Sequence, residues 1–207
     1  EEITQTTDDS KVSFDESAPE GYSFSIDQEY VNISNEKEIS FSFSEAEGET
    51  TYGYTIEDED DGTSAVSGSG EITTSDETIS DIDLSSLSDG QLTLTVTLTD
   101  EAGNKKNKKT ATVEKDTVEP ILEEVSIRSD NGNSDQATVA DTVILNITAN
   151  EEIKEKVVTI AGESATIIDD GDNNAATWQA EYTMQSGDTA GEIDFTVDYE
   201  DIAGNSG

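Results

Sequence analysis

The chain has 207 residues, and its 49 Asp and Glu against 10 Lys and Arg give a formal charge of −39, a field that repels phosphate backbones and anionic headgroups and draws divalent cations. Nucleic-acid binding and electrostatic membrane docking are therefore disfavoured, and the absence of Cys and His removes disulfides, ordinary zinc sites, thiolate chemistry and His-based triads. No apolar run approaches the roughly 20 residues of a membrane span, and no basic segment followed by an apolar stretch opens the chain, which reads as a soluble mature piece or fragment.

Apolar residues alternate with polar ones at period two, the pattern of strands with one buried face, and helical spacing is nowhere sustained. The first half predicts seven strands, near Tyr22–Ile26, Ile39–Phe43, Tyr52–Ile56, Ala65–Ile72, Thr78–Leu84, Leu92–Leu98 and Thr110–Val113. The clearest is Gln91–Thr99, with Leu92, Leu94, Val96 and Leu98 on one face and threonines on the other. The second half predicts six, near Leu122–Ile127, Val143–Thr148, Val157–Ile160, Ala165–Ile168, Thr177–Tyr182 and Ile193–Tyr199. Runs of Gly, Asn, Asp and Ser separate them. Trp178 alternates with Ala180 and Tyr182 and is read as a core residue.

The two halves are related. Val96–Asn104 (VTLTDEAGN) returns as Val197–Asn205 (VDYEDIAGN), and Val12, Asp15 and Pro19 return as Val113, Asp116 and Pro120, both at an offset of 101 residues. Two unrelated motifs sharing one offset mark an internal repeat, and the period is that of a sandwich domain of about 100 residues. The V-x-L-T-D-x-A-G-N stretch, followed by D-x-x-x-P, resembles the junction between bacterial Ig-like repeats of large cell-surface adhesins. The Ser186–Asn205 stretch resembles a second variant of them. The resemblance implies an all-β chain of two tandem immunoglobulin-like Greek-key β-sandwiches. It also implies a non-catalytic, extracellular or bacterial cell-surface role as a spacer or adhesin segment stiffened by Ca²⁺. The expected boundaries are 17–116 and 117–207, with residues 1–16 supplying the last strand of a preceding repeat or a donor strand.

The D-x-A-G-N motif has a bland explanation, a hairpin loop in which Asp caps turn N–H groups and Gly takes the left-handed conformation. In an Ig sandwich, however, the hairpin between the last two strands lies at the N-terminal pole beside the incoming linker. That topology places Asp201 and Asn205 near Asp116, and Asp100 and Asn104 near Asp15, with Glu151 and Glu152, just after the second unit's second strand, at the same pole as Asp201. Hard cations take six to eight oxygens, so Asp15, Asp100, Asn104, Asp116, Glu151, Asp201 and Asn205 are the candidate Ca²⁺ ligands. Asp170, Asp172, Asn174 and Glu181 match EF-hand spacing, but Ala175 replaces the turn glycine, and the match is read as coincidence. Glu57–Asp61 before Gly62 is read as a solvated acidic hairpin tip. The cluster Lys105, Lys106, Lys108 and Lys109 is read as neutralising neighbouring carboxylates. The triplets Asn32-Ile-Ser34 and Asn146-Ile-Thr148 match the glycosylation acceptor and are discounted.

The repeat frame has a further consequence: Gly207 falls where the second unit's last strand should begin, and residues 1–14 align with 102–115, which hold the first unit's last strand. The bland reading is a fragment of a longer array. The sharper alternative is a filament in which Ile3–Phe14 of one chain fills the open edge of the next, head to tail. A third reading is a glycan-binding module, which requires an exposed platform among Tyr22, Tyr30, Tyr52, Tyr54, Tyr182 and Tyr199. No nucleophile elbow, phosphate loop or metal-hydrolase motif supports an enzyme.

Overall fold

The computed structural model describes residues 11–60, 64–168 and 175–207, and among them every regular element is a strand. The Ile3 end of the proposed donor segment, Asp61 and Gly62 of the acidic tip, and Asp170, Asp172 and Asn174 lie outside the described residues. Contacts divide the chain into two compact units, Glu1–Glu29 with Asn35–Glu114, and Tyr30–Ser34 with Lys115–Gly207.

The first unit holds β1 (Ser23–Ile26), then, past the short β2 (Tyr30–Val31), β3 (Ile39–Ser44), β4 (Thr51–Glu57), β5 (Val66–Glu71), β6 (Thr78–Ile82), β7 (Gly90–Thr99) and β8 (Lys109–Lys115). One sheet runs β1-β3-β6, and β8-β7-β4-β5 lie side by side in the other. Ring contacts join the two layers, Phe41 to Tyr54 at 5.3 Å and Phe43 to Tyr52 at 5.8 Å between centroids. The alternation in β7 does what its pattern demands: Leu92, Leu94, Val96 and Leu98 are each fully buried, at about 1.5–3 kcal/mol of burial apiece. At the β5 edge the interior positions are Gly68 and Gly70, opposite Tyr54 and Tyr52. A Cβ on either would stand 2.6 Å from the facing tyrosine, so the rings take the space that side chains on β5 would fill.

The second unit holds β9 (Leu122–Ser129), β10 (Thr142–Ala149), β11 (Ile153–Ile160), β12 (Glu163–Ser164), β13 (Thr166–Ile168), β14 (Thr177–Thr183) and β15 (Phe195–Asp201). Its sheets run β13-β14-β10-β9 and β12-β11-β15. Val143, Leu145 and Ile147 of β10, Trp178 and Ala180 of β14, and Ile153, Val158 and Ile160 of β11 form one core drawn from both layers. Trp178 is 2% exposed.

The thirteen strands read from the sequence all appear among the described residues, with two short additions and with shifted ends, the largest shift at β11. β12 follows Ala161 and Gly162, both at positive φ, the two-residue turn that reverses a strand most tightly. β11 begins at Ile153, four residues before its expected start, because the pairing with β15 shifts between Ile153 and Glu155. That irregularity interrupts the alternation by which strands are recognised. The described start of the chain, Lys11 onward to Glu20, forms no strand, and Val12 and Phe14 are 99% and 87% exposed.

Candidate metal centre

In the second unit β15 ends at Asp201, and the following turn folds around that side chain. Asp201 Oδ1 accepts the Gly204 and Asn205 N–H groups at 2.6 and 2.8 Å, and Oδ2 accepts the Asn205 side-chain amide at 2.8 Å. Gly204 sits at φ +90°, a region that favours glycine. The Asn205 amide also donates to the Asp116 carbonyl at 3.0 Å, which pins Asp116 beside the turn. Asn150, just past β10, accepts the Ile121 N–H through Oδ1 at 2.7 Å and donates its own N–H to the Ile121 carbonyl at 3.0 Å. The residue after this clamp is Glu151.

The result is a convergence of Asp116, Glu151 and Asp201, each presenting a carboxylate oxygen within 4.8 Å of the others. Asp201 is buried, whereas Asp116 and Glu151 are half-exposed. Burial, and after it the charges of Asp116 and Asp201, push the Glu151 carboxyl above its ordinary range, against a smaller opposing hydrogen bond from Asn150. An all-oxygen, all-anionic donor set fits a hard divalent cation, with backbone carbonyls and water completing its shell.

The first unit repeats the Asp–Asn bonds of this turn and its link to an earlier Asp. Asp100 accepts the Asn104 N–H at 2.7 Å and the Asn104 side-chain amide at 2.9 Å, and Asn104 donates to the Asp15 carbonyl at 3.2 Å. Burial alone would raise the Asp100 carboxyl, but hydrogen bonds from the Asn104 side chain and backbone, with those from Gly103 and Ala102, hold it below its ordinary value. Asp15 and Asp100 line a cleft with Glu47, Glu49 and Glu101, while the Asp15 carboxylate caps the Ser17 N–H at 2.9 Å.

Of the seven candidates, then, three converge in the second unit, and Asp15 and Asp100 share a cleft in the first. The two asparagines brace the turns: Asn205 Oδ1 accepts the Ile33 N–H at 3.0 Å, so both ends of its amide are engaged. The sequence reading missed Asn150, whose signal was its place directly before Glu151 and Glu152. It also missed Glu47 and Glu49, and the segment around Asn32, which was weighed only as a sugar acceptor. Asn32 is buried and donates to the Ala203 carbonyl at 2.6 Å.

The other clusters are engaged locally. Lys106 pairs with Glu20 at 2.6 Å, and Lys109 donates to the Tyr22 carbonyl with its ammonium 3.9 Å from the Tyr22 ring centroid. Asp58, in the acidic tip, caps the Asp60 and Ser88 N–H groups. Of the six tyrosines Tyr22 is buried and the other five are half-buried.

Residues 25–117 match the bacterial Ig-like domain. The matched stretch begins inside β1, ends just past Asp116 and contains the whole β7–β8 hairpin. Among solved structures the chain is similar to the fibronectin(III)-like modules of Clostridium thermocellum CbhA, with 14% identity and a TM-score of 0.44 over 89% of this chain and 88% of that one. It is also similar to a tetra-tandem repeat in the extending region of a large adhesion protein, with 19% identity and a TM-score of 0.38 over 89% of this chain and 46% of the other. No curated protein matches the chain.

Proposed function

We propose that the chain is a non-catalytic spacer segment of a bacterial surface or extracellular protein, made of two tandem Ig-like modules, 17–116 and 117–207. In this reading Ca²⁺ bound by Asp116, Glu151 and Asp201 stiffens the segment from Asp116 to Pro120. The observation that carries it is the gathering of these three carboxylates from separate stretches of chain, one of them with its proton affinity raised by burial and then by the charges of the other two. A bound cation would convert that repulsion into a cross-link. Pro120, which fixes one backbone torsion, adds stiffness to the same stretch.

The test is thermal. A cation bound only by the folded state stabilises it by RT ln(1 + [L]/Kd), about 2.7 kcal/mol at a hundredfold excess over Kd. Millimolar Ca²⁺ should raise the melting temperature well beyond NaCl of equal ionic strength, and Asp116→Asn should remove the excess. Equal shifts in the two salts would mean screening of the −39 charge alone and would overturn the calcium reading.

A further inference from the structure

The Asp201–Asn205 turn is a filled socket. Asn32 donates its side-chain amide to the Ala203 carbonyl at 2.6 Å, and the Ile33 N–H donates to Asn205 Oδ1 at 3.0 Å. The inserted piece is preformed, since Asn32 Oδ1 accepts both the Ser34 N–H at 3.0 Å and the Ser34 hydroxyl at 2.7 Å. Asn32, Ala203 and Asn205 are all buried. A Cβ on Gly204 would lie 3.1 Å from Asn32 Nδ2, so the glycine lets the amide in.

The Asp100–Asn104 turn has the same Asp–Asn bonds, but no described residue fills it. Ala102 and Gly103 are exposed, a Cβ on Gly103 would meet nothing within 4 Å, and among the described residues no donor reaches the Ala102 carbonyl or Asn104 Oδ1. The chain also carries a second plug. At the repeat offset, Asn32 corresponds to Asn133, as Phe24 and Ile26 of β1 correspond to Val125 and Ile127 of β9. Asn133 Oδ1 accepts the Asp135 N–H at 3.3 Å, the same i to i+2 turn, and Asn133 is exposed.

We propose that the Asp100–Asn104 socket of one copy of this chain receives the Asn133–Asp135 plug of another. The Asn133 amide donates to the Ala102 carbonyl and the Ser134 N–H to Asn104 Oδ1, repeating the geometry of the filled socket. Asp135 stands where Ser34 does, so the contact sets a carboxylate near Asp100 and Glu101 and forms best where salt screens them. It rests on the reading of the chain as a repeat of an array but needs no cation.

The chain has no cysteine, which permits a clean cross-linking assay. Chains bearing Ser134→Cys and Ala102→Cys are mixed at high concentration in molar NaCl with EDTA under mild oxidation. A disulfide requires the two Cα atoms within about 7 Å. The expected result is a mixed dimer formed faster than with Ser134→Cys and Ser69→Cys, and loss of that excess when Asn133→Ala is added to the Ser134→Cys chain. Circular dichroism checks that each variant is folded. A matched pair no faster than the control, or an excess that survives Asn133→Ala, overturns the proposal. Because EDTA is present throughout, the outcome leaves the calcium reading to its own test.

Discussion

The two D-x-A-G-N turns differ by a neighbour. Asp100 and Asp201 collect the same backbone and side-chain donors, and Asn104 and Asn205 each reach back to the carbonyl of an Asp 89 residues earlier. Yet Asn205 is 3% exposed, while the Asp100–Asn104 turn is open at Ala102 and Gly103. The covering segment, Tyr30–Ser34, interrupts the first unit in sequence and packs with the second. A five-residue motif thus encodes its own hydrogen bonds, but not whether they are shielded from water. Shielding sets their worth, because a buried donor or acceptor deprived of its partner cannot turn to solvent.

The largest expected effect tests whether each unit stands on its own core. Trp178→Ala removes the largest fully buried side chain and should cost the second unit about 3–5 kcal/mol. The near-UV signal of the packed rings around Phe41 and Phe43 should melt where it does in the unaltered chain. Joint loss of both transitions would show the units to be one cooperative body.

The turns themselves are compared by Asn205→Ala against Asn104→Ala. The first strands the Ile33 N–H and the Asp116 carbonyl in a part-buried setting, at about 1–2 kcal/mol, whereas the second exposes its abandoned partners to water, at about 0.5–1 kcal/mol. Denaturant unfolding of the two variants gives the difference. Equal costs would mean that the covering segment contributes no shielding.

The smallest effect is electrostatic and has a defined sign. The folded Glu151 carboxyl titrates above its unfolded value, so its contribution is present below the unfolded pKa and is lost as pH rises through the folded one. Asp100, and Asp141, whose carboxylate accepts hydrogen bonds from the Asn131 side chain and from the Thr138 N–H and hydroxyl, are shifted down, and their contribution is present above the ordinary carboxylate range and lost as pH falls through their depressed values. Glu151→Gln in EDTA should therefore be more stable than the unaltered chain at about pH 7, with the gap closing in acid. The same variant should lose any Ca²⁺-specific rise. Melting curves across that pH range, with and without Ca²⁺, check both points. An unchanged neutral-pH stability would mean that the carboxylates do not repel one another appreciably.

Strand identity was legible because period-two alternation is a local property of the chain: Leu92 to Leu98 could bury one face in only one way. The 101-residue offset likewise made the repeat, and the shared turn, visible without coordinates. The convergence of Asp116, Glu151 and Asp201 was only half legible, since the shared pole follows from topology but the clamp that holds Glu151 there depends on Asn150 meeting Ile121, 29 residues away. The two-residue β12 and the early start of β11 were hidden by a tight turn and a register shift, which break the alternation itself. What covers each turn was decided by tertiary structure alone. Asn32 reaches Ala203 across 171 residues of chain, and a contact at that separation leaves no periodicity, spacing or composition by which the sequence could announce it.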